Sequence, residues 1–403
     1  MALRRLRESV TWKPWRRVTE PALSALCAAV GWAGGKLTRA WRAVRRMPTP
    51  PAVIPRTIRR VIILRPDRLG DIILTTPMLS ALRACVPQAR VTVVVAERYQ
   101  LILAGHPAVD EVVPVPGDSL KDFWRGRARL RALRSGEGTC IIAGEISWPS
   151  SLLAWWLKGE YRVGYDTQGM AFLFTHALPY PYRRVKTHQV EVELGLLRAF
   201  GCTSDPSEAR LSVTVPQAAR DAAAAWIRSR GLAAGRTTVM IHPGSRSRYT
   251  RWAPERFGQV GDWVQRETAA QLIVLCGPGE RPVVDRMVAR MASPPLLAEG
   301  LTLEVVAALI GHCALFIGNS TGTTHLAAAM GSCVVMVIGG THPLDCPERW
   351  RPWGTGHLVV HRRPIDVIGR EDNGWLGSEG LAHIRPDDVI QQLRGRLAAR
   401  TDR

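Results

Sequence analysis

The chain has 403 residues, 46% of them hydrophobic, which is enough for two or three domains with ordinary cores. Lys and Arg number 54 against 34 Asp and Glu, a formal charge of +20, and residues 1–60 hold 14 of the cations and 2 of the acids, so the excess is largely an N-terminal tail. No run of roughly 18 apolar residues occurs, which excludes an ordinary transmembrane helix. The cysteines at 27, 85, 140, 202, 276, 313, 333 and 346 form no C-x-x-C pair and no zinc-ligand spacing, so buried free thiols in a reducing compartment are expected.

Residues 1–47 interleave Trp12, Trp15, Trp32 and Trp41 with arginines around Pro21–Ala33, an apolar stretch too short to span a bilayer. Arginines suit anionic headgroups and indoles suit the headgroup level, so this tail is expected to rest on an anionic membrane surface at its cytoplasmic face. A secretory signal fits less well, because Gly34–Arg46 is again basic and no small-x-small site closes the segment. A nucleic-acid partner is not expected. Met47–Pro55, with prolines at 48, 50, 51 and 55, reads as a linker. The expected division is a tail and linker over 1–56, one Rossmann-like domain over 57–215 and a second over 216–403.

Val61–Leu64 is a short apolar run that reads as a buried parallel strand. Arg65–Gly70 forms a loop, a helix runs from Asp71 to about Ala84, and Val91–Val95 is the next strand. This strand–loop–helix–strand order predicts a doubly wound α/β sheet, whose site lies at the carboxyl ends of its strands. Further strands are expected at Glu111–Val115 and Cys140–Ala143, with Trp155 and Trp156 as packing residues rather than a sugar platform. His188, ahead of a helix over Val190–Phe200, either reaches the cleft or begins that helix.

After a polar segment around Pro206–Pro216 the pattern restarts. Helices are expected at Ala218–Ser229, Pro254–Glu267, Leu303–Gly311 and Thr323–Met330. Strands are expected at Val239–His242, Leu272–Cys276, Ala314–Gly318 and Cys333–Ile338. Gly318–His325 (GNSTGTTH) places small and hydroxyl residues between a strand and a helix start. Backbone N–H groups, the positive end of the helix dipole and the hydroxyls there suit a diphosphate. A turn of this kind also serves plain helix–strand packing.

Four blocks carry a resemblance. They are Arg65–Pro77 (RPDRLGDIILTTP), His242–Trp252 (HPGSRSRYTRW) with Pro254–Phe257 (PERF), Gly277–Glu280, and Gly318–Gly331. Together they resemble glycosyltransferase family 9, the lipopolysaccharide heptosyltransferase family, over about residues 58–360. The resemblance implies the GT-B architecture of two Rossmann-like domains facing a cleft, and inverting transfer from an ADP-linked heptose to a lipopolysaccharide-like or other lipid-linked acceptor. It implies no metal, which agrees with the absence of a D-x-D motif.

On that resemblance Asp71 is the general base, with a helix cap as its structural alternative. The donor and its diphosphate fall to Ser245, Arg248, Thr250, Arg251, Gly277, Ser320, Thr321, Gly322, Thr323, Thr324 and His325; the acceptor side falls to Arg65, Arg68, Gly70 and His188. Two positions depart from the family pattern. Thr250 stands where Lys is frequent, and Ser320 stands where an Asp is usual and makes fewer, weaker bonds to sugar hydroxyls. A silent donor-binding scaffold and a sugar-nucleotide epimerase are the alternative functions.

Overall fold

The computed structural model describes residues 53–134, 136–181, 187–339, 346–362 and 378–401; the expectations for the tail and most of the linker lie outside them. Two six-stranded parallel sheets form the frame. The first holds β1 (Arg60–Arg65), β2 (Arg90–Ala96), β3 (Glu111–Val115), β4 (Thr139–Ala143), β5 (Tyr161–Asp166) and β6 (His176–Pro179). The second holds β7 (Thr238–His242), β8 (Gln271–Cys276), β9 (Leu296–Glu299), β10 (Leu315–Asn319), β11 (Cys333–Val337) and β12 (Leu358–Val360). The spatial orders are β3-β2-β1-β4-β5-β6 and β12-β11-β10-β7-β8-β9, so each sheet starts centrally and winds outward in both directions. That is Rossmann order, with a switch point between β1 and β4 and another between β7 and β10. The central strands are buried throughout except at their first residue, because helices cover both faces, and they therefore read as continuous apolar runs.

The helices are α1 (Leu69–Cys85), α2 (Leu120–Arg125), α3 (Arg127–Ala132), α4 (Trp148–Trp156), α5 (Gln189–Gly195), α6 (Gln217–Ser229), α7 (Pro254–Glu267), α8 (Arg281–Val288), α9 (Leu303–His312), α10 (Gly322–Ala329), α11 (Pro347–Trp350), α12 (Ser378–Ala382) and α13 (Pro386–Thr401). α2, α3 and α4 cover one face of the first sheet through Phe123, Leu130, Leu133 and Leu153. α1 and α5 cover the other, and the apolar core on that side is continuous with α6, α9 and α10 of the second half. α7, α8 and α13 close the far face of the second sheet.

The Thr-Thr-Pro sequence inside α1 has a structural account. Pro77 lacks the N–H that would bond Ile73, and the Thr76 hydroxyl donates to that carbonyl instead, at 2.7 Å. Thr76 Oγ1 also accepts from the Ser212 N–H at 3.0 Å, which ties the crossover segment to α1.

Two expectations are corrected. Cys85 and Cys202 form a disulfide with Cα atoms 6.2 Å apart, because the end of α1 and the turn after Phe200 pack over the same sheet face. Cys140, Cys276, Cys313, Cys333 and Cys346 are buried and outside any disulfide, as expected. Trp156 is half-buried, but Trp155 is 56% exposed; α4 buries Ser150, Ser151, Leu153 and Ala154, and 155 falls on its outer side. The strands β5, β6, β9 and β12, unmarked in the sequence reading, are short or mixed in polarity and lie toward the sheet edges.

Candidate functional site

The first half of the site is an ionic cluster at the β1/β4 switch point. Arg65 ends β1 and is buried. Its guanidinium lies 2.9 Å from Glu193 of α5, 3.5 Å from Asp67 and 3.8 Å from Asp71, and its Nε donates to Thr75 Oγ1 at 2.9 Å. Thr75 passes that contact on by donating to the Asp71 carbonyl at 2.8 Å. Glu145, in the loop after β4, adds its charge and accepts from Ser150 at 2.6 Å.

Four carboxylates thus surround one guanidinium. Burial holds Asp67 well above the usual carboxylate range; Arg65 opposes that shift, and Asp71, Glu145 and Glu193 add to it. Burial raises Glu193 and Glu145 too, against the pull of Arg65. Arg65 stays firmly protonated, since its acidic neighbours outweigh the cost of burial. Asp71 has the most exposed side chain of the three acids paired with Arg65, at 16%, and sits in the first turn of α1. The cluster therefore anchors Asp71 from behind.

The second half gathers at the β7/β10 switch point. Asn319, fully buried at the end of β10, donates to the carbonyls of Pro243 and Gly244, both at 3.0 Å, and accepts from the Trp252 N–H at 2.7 Å. It fastens the loop after β7 to the segment that carries Arg251. Trp252 packs edge-on to Phe257 beneath that loop. His242 bridges Thr323 at 2.8 Å and Glu280 at 2.7 Å, and Glu280 also accepts from the Gly277 N–H at 2.9 Å. Burial alone would raise Glu280, but His242, the Gly277 amide and the charge of Arg251 hold it below the ordinary carboxylate range. Gly244 makes room for this carboxylate, since a Cβ there would stand 2.1 Å from Glu280 Oε1.

Arg251 donates to the Ser245 carbonyl at 2.5 Å, and its buried Nε has no partner. Ser245 and Thr250 share a hydroxyl contact of 2.8 Å. Thr321 contacts Thr323 at 2.9 Å, and Thr324 donates to the Asn319 carbonyl at 2.5 Å, which closes the turn onto the start of α10. Ser320 and Thr250 line one small cavity with Tyr249, Val337, Ile338 and Leu381.

The two halves meet at helix tips. A Cβ on Gly322 would lie 2.8 Å from Leu69 Cβ and 3.0 Å from the Gly70 nitrogen, and a Cβ on Gly70 would lie 3.0 Å from His325 Cδ2. The N-termini of α1 and α10 therefore abut, and two positive dipole ends converge where an anion would be stabilised. His325 is buried, its Nδ1 has no partner, and burial lowers it to about 4.

A second seam joins the halves behind the cluster. His188 caps α5, accepting from the Val190 N–H at 3.1 Å and donating from Nε2 to the Arg351 carbonyl at 2.9 Å; burial lowers it to about 3. Arg349, from α11, donates to Gln189 and Tyr180, and Gln189 donates to Glu193 at 2.5 Å.

The profile of glycosyltransferase family 9 (heptosyltransferase) matches residues 127–364. The chain is 26% identical over 300 residues to lipopolysaccharide heptosyltransferase 3 of Escherichia coli K12, covering 70% of this chain and 82% of that one. Among solved structures it is similar to a family 9 glycosyltransferase of Veillonella parvula, with a TM-score of 0.74, 23% identity and coverage of 86% of this chain and 99% of that one. It is also similar to the E. coli ADP-heptose lipopolysaccharide heptosyltransferase II, with a TM-score of 0.67, 17% identity and coverage of 85% and 99%.

This chain belongs to glycosyltransferase family 9.

It has the GT-B fold of that family and is a glycosyltransferase. The structure of this family 9 enzyme brings together Asp71, Arg65 and Gly70 on one side and Gly322 and His325 on the other. It gathers Ser245, Thr250, Arg251, Gly277, Ser320, Thr321, Thr323 and Thr324 around the second switch point. Arg68 is exposed at the N-cap of α1, and Arg248 is exposed with its guanidinium 4.8 Å over the Tyr249 ring. His188 begins α5 and serves the seam. Sequence reasoning missed Asp67, Glu145, Glu193, Glu280 and Asn319 as members of the site. Asn319 and Glu280 stood inside quoted motifs, whereas Glu145 and Glu193 carried no local signal. Among the described residues no group of three His, Cys, Asp or Glu side chains is placed to hold a metal ion.

Proposed function

We propose that this enzyme transfers a sugar, heptose in the first instance, from an ADP-linked donor to a lipopolysaccharide-like or other lipid-linked acceptor, with inversion and without a metal. The observation that carries the reading is the convergence of the α1 and α10 N-termini, with Asp71 in the first turn of α1. In this reading the donor diphosphate lies at the start of α10, held by backbone N–H groups, the hydroxyls of Ser320, Thr321, Thr323 and Thr324, and the free Nε of Arg251. Gly277 and Ser245 shape the surrounding loops. Asp71 takes the proton of the acceptor hydroxyl as its oxygen attacks the anomeric carbon from the opposite face. The bond from that carbon to the diphosphate breaks, and the charge gained by the diphosphate is met by the helix dipole and Arg251 in place of a cation.

Support for the heptose comes from the relatives, several of which are named as heptosyltransferases, and one solved relative is an E. coli heptosyltransferase with ADP-2-deoxy-2-fluoro heptose. Arg68 and Gly70 lie on the acceptor side of Asp71, and Arg65 acts there by holding it. The basic tail would keep the enzyme on the cytoplasmic face of an anionic membrane. No described helix is long and apolar enough to cross one.

The test has two arms. Thermal stabilisation should be greatest with the ADP-sugar among ADP-, GDP-, UDP- and dTDP-sugars. Asp71→Asn should lower kcat about a hundredfold or more with donor affinity retained; equal turnover in that variant would remove Asp71 as the base.

A further inference from the structure

The layer formed by α2, α3 and α4 buries Phe123, Leu130, Leu133 and Leu153 against the first sheet, yet its outer side is not an ordinary polar surface. Trp124 is 65% exposed, Trp155 56% and Leu120 43%, and these are three of the five large exposed apolar residues among those described. Residues 120–134 contain six Lys and Arg and one Asp. Lys121, Arg125, Arg127, Arg131 and Arg134 are all exposed, as is Lys158 just past α4.

Among the described residues none of these six cations forms an ion pair, whereas Arg129 beside them pairs with Glu97 at 2.7 Å. Arg127 stacks 4.2 Å over the Trp124 ring and Arg134 stacks 4.8 Å over Trp156, which links α2, α3 and α4 into one surface of alternating indoles and guanidinium groups. An exposed indole gains by entering an apolar phase while its N–H stays at the wet boundary, and unpaired cations gain by meeting phosphates. Both needs are met together at the headgroup level of an anionic bilayer. The chain's own N-terminal tail is a poor cover for this face, because residues 1–60 carry 14 cations against 2 acids and the two surfaces repel.

We propose that the outer face of α2, α3 and α4 is a docking surface for anionic lipid. Trp124, Trp155 and Leu120 enter the headgroup region, and Lys121, Arg125, Arg127, Arg131, Arg134 and Lys158 lie against lipid phosphates. This contact belongs to the folded domain, is separate from the tail, and holds whatever sugar the donor carries.

The experiment uses the full chain, so the tail is constant. Vesicles of equal parts phosphatidylglycerol and brominated phosphatidylcholine are mixed with the parent and with a Trp124→Phe/Trp155→Phe variant, and the quenched share of tryptophan fluorescence is read. A smaller quenched share in the variant is expected, because two inserted indoles have been removed. A second variant, Arg125→Gln/Arg127→Gln/Arg131→Gln/Arg134→Gln, should partition to these vesicles about tenfold or more weakly, with near-ultraviolet circular dichroism unchanged. Equal quenching in parent and Trp variant overturns the proposal, as does equal partitioning of the charge variant. If the charge variant loses affinity for a DNA duplex while vesicle partitioning is unchanged, the face serves nucleic acid and the lipid assignment falls.

Discussion

Asn319→Ala should damage both the stability of the second domain and its grip on the donor. The carboxamide is fully buried and makes three bonds, to the Pro243 and Gly244 carbonyls at 3.0 Å each and from the Trp252 N–H at 2.7 Å. Truncation removes three neutral hydrogen bonds, each worth about 1 kcal/mol, and leaves the amide and carbonyls buried with fewer partners, so the total loss is about 3–5 kcal/mol. That corresponds to a fall of about 10 °C in the transition midpoint of a domain of this size. Trp252 follows Arg251 directly, so releasing its amide also frees the loop that presents the guanidinium, and donor affinity should drop about tenfold. Scanning calorimetry reads the first effect and titration calorimetry with the donor reads the second. Asn319→Asp is the informative control: it retains an acceptor for Trp252 but sets a carboxylate oxygen against two carbonyls, and it should recover partly as pH falls and the acid protonates. A midpoint within about 2 °C of the parent, with donor affinity unchanged, would refute the assigned role.

Arg65→Met should cost about 3–5 kcal/mol at neutral pH by leaving Asp67, Asp71 and Glu193 without their cation. The deficit should shrink toward pH 4, because burial already raises Asp67 and Glu193, the loss of Arg65 would raise them further above their unfolded values, and the native state would hold the extra protons; a pH-independent deficit would argue against the cluster. Gly322→Ala places a Cβ 2.8 Å from Leu69 Cβ and 3.0 Å from the Gly70 backbone, so the helix tips must separate. A stability loss of about 1–3 kcal/mol is expected by calorimetry, with turnover reduced more than donor affinity; unaltered turnover would place the reaction elsewhere. His188 remains neutral in the fold down to about 3 while the unfolded chain protonates near the ordinary histidine value, so its contribution is lost as pH falls below about 6.5, at about 1.4 kcal/mol per unit. Denaturation of His188→Gln between pH 7 and 4 should show a shallower loss than the parent, and parallel profiles would dismiss the effect.

The central strands and main helices were legible because burial on both faces writes a strand such as Val61–Leu64 as an unbroken apolar run. The helix that follows it announces itself by apolar residues such as Ile72, Leu74, Leu79 and Leu82. The Gly318–His325 turn drew notice for a related reason, since small and hydroxyl residues between a strand and a helix start already suit an anion, whereas Asp71 was singled out by the family resemblance and its local setting equally suits a helix cap. Edge strands such as β12 were not, because three residues with partial exposure carry too little pattern.

Tertiary structure decided everything that depends on convergence. Arg65 read as an acceptor-side cation, but its guanidinium is surrounded by Glu193, 128 residues away, together with Asp67 and Asp71. His188 could have served the cleft or the helix start, and its bond to the Arg351 carbonyl makes it part of a seam. Cys85 and Cys202 had no spacing to mark them as partners. Trp155 and Trp156 are neighbours of the same residue type, and only the direction in which α4 packs sends one inward and the other to solvent. A chain records what each segment will become because backbone geometry and burial act over a few residues. Which segments meet is set by the winding of two sheets, and no single stretch of sequence contains that information.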